Sequence, residues 1–156
     1  MNNHQVRDPE FNKRVRDSFA RQAFMAFIGA ELTVLEPGHC EIELPYRGEL
    51  SQQHGFFHGG VIGTLADNAC GYAAYTLTPA DASILTVEYK LNIVAPGDGE
   101  RLIARGEVVK AGRTLSVTEG RVYAVKGGVE KLCAIVTETL LPMADTSDDP
   151  KFAKKS

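Results

Sequence analysis

The 156-residue sequence contains no apolar run near the roughly 20 residues needed to cross a bilayer as a helix, which excludes a helical membrane protein. Its opening segment, MNNHQVRDPEFNKRVRD, lacks the apolar stretch of a secretory signal. Cysteine is scarce: Cys40, Cys70 and Cys133 are dispersed and odd in number. They offer neither a disulfide framework nor the paired spacing of a zinc site, and are read as buried thiols in a reducing compartment. A cytoplasmic protein is expected. Neither sign of charge dominates, with 17 Lys and Arg against 20 Asp and Glu and a net charge of −3, so a global grip on nucleic acid is excluded. No serine sits in a Gly-x-Ser-x-Gly elbow, so serine-hydrolase chemistry lacks its nucleophile. His54 and His58 are spaced i, i+4, but glycines surround them and no Glu or third His is near, so no metal is expected.

What is present, 44% hydrophobic and 24% charged residues, describes one globular domain over residues 1–156 with a sizeable core. Residues 8–28 carry a helical pattern, with Val15, Phe19, Ala23 and Phe27 on one stripe and Arg14, Arg16, Asp17 and Arg21 on the other faces. Asp8-Pro9-Glu10 reads as its start and Gly29 as its stop. Two alternating runs, 31–36 and 39–45, flank Pro37-Gly38 and predict a β-hairpin. After a loop over 46–58, residues 59–77 are apolar nearly throughout and long enough to favour a buried helix. Four strand-like runs follow at 83–94, 100–111, 114–126 and 131–141, separated by Gly-rich turns at the spacing of an antiparallel meander. The segment 143–156 reads as a flexible tail. The order predicts an α+β fold, one curved antiparallel sheet with a long central helix on its concave face and an extra N-terminal helix. A helix apolar nearly all round needs cover on both sides, which implies at least a dimer.

Two features can carry chemistry. His58-Gly59-Gly60 stands where the loop becomes the central helix, and the first N–H groups of a helix point outward without internal partners. Glycines there let a carbonyl oxygen approach the backbone and suit a developing oxyanion; they equally suit a tight loop-to-helix turn. Asp67 is a carboxylate in an apolar helix, on a stripe with Gly60, Gly63, Thr64, Cys70, Gly71 and Ala74, all of them small. It reads either as a general base or nucleophile facing a ligand space, or as a structural Asp hydrogen-bonded across a subunit interface. Cys70 reads as packing. Residues 90–131 hold eight basic against five acidic groups, and Lys110 and Arg113 flank a turn in a manner that suits a phosphate, although solvated strand faces account for such charges equally.

The stretch Gln52–Tyr75, with His-Gly-Gly followed by Leu-Ala-Asp-Asn-Ala-Cys-Gly-Tyr-Ala-Ala-Tyr, resembles the hotdog-fold thioesterases of the phenylacetic-acid-degradation (PaaI-like) type. Thr86-Val-Glu-Tyr-Lys-Leu-Asn-Ile-Val-Ala-Pro-Gly and Ala111-Gly-Arg-Thr-Leu-Ser-Val match that family's strands, so the resemblance covers about residues 18–141. It implies an acyl-CoA thioesterase, without cofactor or metal, that converts a medium-chain or aryl acyl-CoA to free acid and CoA. It implies a homodimer that assembles into a homotetramer, with substrate at the dimer interface. By the resemblance, Asp67 would activate water or attack the thioester, and the Gly59 N–H would polarise its carbonyl. His58 would hold that region. Thr86 would position the nucleophilic water. Gln52 stands where the family commonly has Asn and would orient water or the leaving thiolate. Gly60 and Phe57, with Phe56, would line the acyl site, and Gly112, Arg113 and Thr114 would contact the CoA nucleotide. Asp67 and Thr86 would come from one subunit and Gln52, His58 and Gly59 from the other. A non-catalytic acyl-CoA-binding protein is the alternative from another class. A hotdog-fold hydratase or dehydratase ranks lower, because no Pro-rich segment follows His58.

Overall fold

The computed structural model describes residues 4–146 and Asp148. Helices α1 (Phe11–Arg21) and α2 (Ala23–Ile28) lead into strands β1 (Glu31–Glu36) and β2 (His39–Pro45). A short 3-10 turn at Gly48–Leu50 precedes the long helix α3 (Gly59–Tyr75). Strands β3 (Ser83–Ile93), β4 (Arg101–Ala111), β5 (Ser116–Lys126) and β6 (Val129–Met143) complete the chain. All pairings are antiparallel, in a six-stranded sheet of order β1-β2-β4-β5-β6-β3. Helix α3 packs across it, touching β2, β3, β4, β5 and β6, which bears out the expected sheet wrapped round a central helix. No helix among the described residues is long and apolar enough to cross a membrane.

The turns behave as their residues dictate. Glu36 pairs with His39 around Pro37-Gly38, and Lys126 pairs with Val129 around Gly127-Gly128, whose φ values of 57° and 78° suit a two-residue hairpin loop. The expected four-strand meander, however, holds only for β4-β5-β6. Strand β3 pairs with β6 at the far edge, while β4 adds to β2. The physical reason is the length of α3. Its 17 residues extend about 25 Å, enough to carry the chain from β2 over the intervening strands to the opposite edge. Strand β5 begins at Ser116 rather than 114, and β6 runs beyond 141 to Met143.

The N-terminal helix is two helices. Gln22 is extended, with ψ 96°, which resets the phase of the apolar stripe. Met25 and Ile28 therefore face the core, while Phe27, expected inside, is 75% exposed and Ala23 is exposed. Gly29 ends α2 in the left-handed conformation, as read from the sequence. Arg14, expected on an outer face, is buried. It pairs with Asp8 at 2.7 Å and donates to the carbonyl oxygens of Tyr75 (3.2 Å) and Thr78 (3.1 Å), satisfying backbone acceptors at the end of α3. Asp8 is therefore more than a helix start: one oxygen accepts from Glu10 N and the other holds the guanidinium. Phe19 meets Tyr72 edge-on at 5.6 Å, so α1 supplies part of the cover that α3 requires. The face still open carries Gly60, Thr64, Asp67 and Gly71, whereas Gly63, Cys70 and Ala74 of the expected stripe are buried. Of the segment read as a flexible tail, residues 143–146 and Asp148 are described, with Thr146 N donating to Asp81 O, and the remainder of 143–156 lies outside the described residues.

Helix α3 lies directly on the sheet at one point. Gly106 and Gly120 are cross-strand partners beneath it. A Cβ on Gly106 would overlap the carbonyl group of Ala69 and stand 2.6 Å from Cys70 N, and one on Gly120 would stand 2.8 Å from Cys70 Sγ. Because these obstacles are mainly helix backbone, Gly106→Ala is expected to lower stability by about 3 kcal/mol, the upper end of overpacking costs. Urea unfolding followed by circular dichroism measures this; an unchanged midpoint would show that the helix can lift without penalty.

Candidate active site

Asp67 projects from the open face of α3 and is half-buried. Its Oδ1 accepts from Thr86 Oγ1 at 2.6 Å. Thr86 reaches it because β3 carries a bulge at Val87, next to Thr86, where the pairing with β6 shifts register. The same hydroxyl lies 2.9 Å from Oε1 of Glu138, a carboxyl on the inner face of β6 that is 1% exposed. Oε2 of Glu138 is buried and has no hydrogen-bond partner. Burial first, and the neighbouring charge of Asp67 second, push Glu138 up to about 9, against the opposing pull of the Thr86 hydroxyl. Burial likewise pushes the thiol of Cys70, one turn from Asp67, well above its ordinary value, in keeping with a packing role.

The sequence reading missed Glu138. A signal for it existed: Ala134, Val136, Glu138 and Leu140 alternate on the inward face of β6, so a carboxylate there must be buried. Its meaning depended on α3 and β3 bringing Asp67 and Thr86 to the same point.

Asp67 and Thr86 line an open cavity of about 540 Å³ bordered by α1, α3 and β3. Leu85, Leu140 and Gly71 contribute to its wall, and Ser18 and Tyr75 to its far end. There Ser18 Oγ (2.6 Å), Tyr75 OH (2.9 Å) and Arg21 (3.2 Å) hold the carboxylate of Asp148. Burial works against that charge, but the three donors outweigh it and hold Asp148 below the ordinary carboxylate range.

The other sequence-selected residues gather elsewhere. His58 caps α3, its Nδ1 accepting from Gly60 N at 2.9 Å, which leaves the Gly59 N–H without an acceptor among the described residues. Gln52 Oε1 accepts from His54 N and is thereby fixed in the loop. Gln52, Phe57 and Gly59 line a second groove of about 500 Å³ with Ile93 and Pro96. Phe57 is 2% exposed, its ring edge-on to Tyr46 at 5.2 Å, so it serves the core as well as the groove wall. Along α3, Gly59 and Asp67 are separated by eight residues, about 12 Å, so a single chain does not bring them to one reacting carbon.

Gly112, Arg113 and Thr114 form the exposed turn between β4 and β5. Register places this turn just beyond the row Ala111, Ser116, Leu140, Thr86, at the Thr86 end of the sheet. Among the described residues Lys110 and Arg113 have no ion-pair partner, whereas Arg101, Arg105 and Lys126 of the same strands are paired with Glu43, Glu130 and Asp98.

The family model described as thioesterase superfamily matches residues 54–131. A thioesterase family protein from Silicibacter pomeroyi has a crystal structure that superposes with a TM-score of 0.85. It is 48% identical over 86% of this chain and 98% of its own. The 1,4-dihydroxy-2-naphthoyl-CoA hydrolase of Listeria monocytogenes is 27% identical over 108 residues, 69% of this chain and 85% of that protein. The PaaI protein of the Escherichia coli phenylacetic acid degradation operon is 16% identical, with a TM-score of 0.76 over 86% of this chain and 94% of its own, and shares the fold.

The burial of Glu138 sets a pH dependence of stability. The folded chain keeps a proton up to about 9 that an unfolded carboxyl releases near 4.5, so stability falls as pH rises through that window and levels off above it. Glu138→Gln removes the dependence. The difference in Tm between variant and wild type should move in the variant's favour from pH ~5 to ~9. A constant difference in thermal melts across that range would mean that Glu138 is not held protonated.

Proposed function

The chain belongs to the thioesterase superfamily, as a hotdog-fold hydrolase of thioesters, and from that premise we propose that its substrate is a medium-chain or aryl acyl-CoA, cleaved to the free acid and CoA. The observation that carries this reading is the half-buried Asp67 carboxylate at the wall of a cavity of mixed polar and apolar lining, gripped on one oxygen by Thr86 at 2.6 Å. With Oδ1 held, Oδ2 is the oxygen assigned to the substrate. In the general-base form, Asp67 takes a proton from water as the water oxygen attacks the thioester carbon. In the nucleophilic form Asp67 itself attacks, and water then hydrolyses the mixed anhydride. In both, the C–S bond breaks, the thiolate leaves and takes up a proton, and one water is consumed. In this reading Thr86 also positions the attacking water.

The free Gly59 N–H at the positive end of α3 polarises the thioester carbonyl, with His58 fixing the turn through its bond to Gly60. Gln52 orients water or the departing thiolate. Gly60 and Phe57 line the acyl thioester, and Gly112, Arg113 and Thr114 meet the CoA nucleotide, where the unpaired charges of Lys110 and Arg113 suit phosphate. The 12 Å between Gly59 and Asp67 supports a site made from two chains, Gln52, His58 and Gly59 from one protomer and Asp67 and Thr86 from its partner. The edge strand β3 supports the same assembly, because it leaves Leu85, Val87, Tyr89 and Ile93 exposed, an unpaired apolar edge that a second copy would cover. A homodimer, doubled into a homotetramer, is the proposed form. The three free cysteines, all buried, favour a reducing cytoplasmic setting.

Thiol release measured with a thiol-reactive dye, over acyl-CoAs from acetyl to palmitoyl with phenylacetyl and benzoyl, tests the reading. Asp67→Ala and Asp67→Asn are expected to lower kcat by about 10³-fold or more while the oligomer, followed by light scattering, survives. Near-normal turnover in either variant would remove Asp67 from the mechanism, and release from no member of the panel would exclude acyl-CoA as substrate.

A further inference from the structure

The proposed reaction leaves Glu138 without a part. Its side chain enters the concave face from β6, with Oε1 2.9 Å from Thr86 Oγ1 and Oε2 buried without a partner. Thr86 Oγ1 stands 2.6 Å from Asp67 Oδ1. A threonine hydroxyl carries one hydrogen and can donate to one of these carboxyls only. Three oxygens in such a chain require a second hydrogen, and it must reside on a carboxyl. Removing it from Glu138 would leave a full charge inside the sheet with one oxygen lacking any donor. Asp67 borders the cavity and is the better carrier of the charge.

We propose that Glu138 is a neutral carboxylic acid that positions Asp67 through Thr86, its Oε1–H donating to Thr86 Oγ1 and the Thr86 hydroxyl donating to Asp67 Oδ1. This direction of donation fixes Oδ1 and turns the lone pairs of Oδ2 toward the cavity, which is what a base or nucleophile requires. Glu138 is a positioning residue and exchanges no proton with substrate. The proposal rests on the reading of Asp67 given above.

The titratable groups facing Glu138 are Asp67 and Cys70 from α3 and Tyr89, its register partner on β3; β5 presents Thr118 at this level. Burial and the charge of Asp67 hold the Glu138 proton up to about 9. Above that, the Thr86 hydroxyl is drawn between two carboxylates and the alignment is lost.

The test compares wild type with Glu138→Gln and Glu138→Leu, reading kcat and KM for an acyl-CoA between pH ~6 and ~10. The infrared spectrum of the substrate-free proteins is recorded over the same range. Wild type is expected to lose kcat on an alkaline limb near 9. In Glu138→Gln an amide N–H replaces the acid O–H, so kcat at neutral pH stays within about threefold and the limb disappears. Glu138→Leu supplies no donor and lowers kcat about tenfold or more, with KM little changed. The wild-type infrared spectrum should show a protonated-carboxyl C=O band at neutral pH that vanishes on alkalinisation and is missing in Glu138→Gln. An alkaline limb that persists in Glu138→Gln, a Gln variant as impaired as the Leu variant, or no protonated-carboxyl band in wild type would each overturn the proposal. If Glu138→Leu fails to fold, the Gln variant and the infrared band still decide. If no acyl-CoA is hydrolysed, the functional reading fails while the band tests Glu138 on its own.

Discussion

Contact between α3 and the backbone of the sheet at Gly106 and Gly120 is the constraint on which the remaining geometry depends. With no side chain on either residue, the helix at Ala69 and Cys70 settles on the β4 backbone at Gly106 and seats the Cys70 thiol against Gly120 of β5. That depth places Asp67, less than one turn earlier, level with Thr86 on β3 and Glu138 on β6. A helix held off by one methylene layer would carry Asp67 out of reach of Thr86, whose contact with Glu138 lies within the sheet. The same settling sets the width of the cavity between α3 and β3, so the packing of two glycines and the reach of Asp67 to Thr86 are one problem.

Around that contact the molecule divides its polar groups by what can pair them. Arg14 and Asp8 are buried together and spend the guanidinium on carbonyl oxygens at the end of α3, a site where backbone acceptors have no helical donor. Among the described residues no cation pairs with Glu138, and burial leaves it a neutral acid. Asp67 lies between these cases, half-buried and held by one hydroxyl. One side of it is held by Thr86 and the other borders the cavity. Helix α1 covers Tyr72 and Tyr75 and lines the far end of that cavity with Ser18 and Arg21.

Most elements were legible because their signals are local. The hairpin over 31–45 and the turn at Gly127-Gly128 follow from Pro and Gly at positions needing special backbone angles, and α3 follows from its length and apolar content. The placement of β3 was not legible, because alternation identifies a strand without naming its neighbours. The single helix over 8–28 failed for a related reason. Each half is amphipathic, and the break at Gln22 shifts the stripe so that Met25 and Ile28 replace Ala23 and Phe27. Within the candidate site, Asp67 stood out as a carboxylate in an apolar helix, and His58-Gly59-Gly60 as a helix start with open N–H groups. Glu138 did not stand out, since a Glu among alternating strand residues gains meaning only from what faces it.

The sequence by itself determined the element types, the turns, the family resemblance and the identity of Asp67 and Gly59 as candidates, since each depends on neighbours along the chain and on backbone preferences that residue type sets directly. Tertiary structure alone decided that β3 lies at the edge beside β6, that Arg14 is inside, and that Thr86 joins Asp67 to Glu138. Those outcomes depend on side chains 19 to 64 residues apart meeting at hydrogen-bond distance, and such meetings are fixed by which strands pair and by how deeply a helix can settle on the sheet, properties that no local stretch of residues contains.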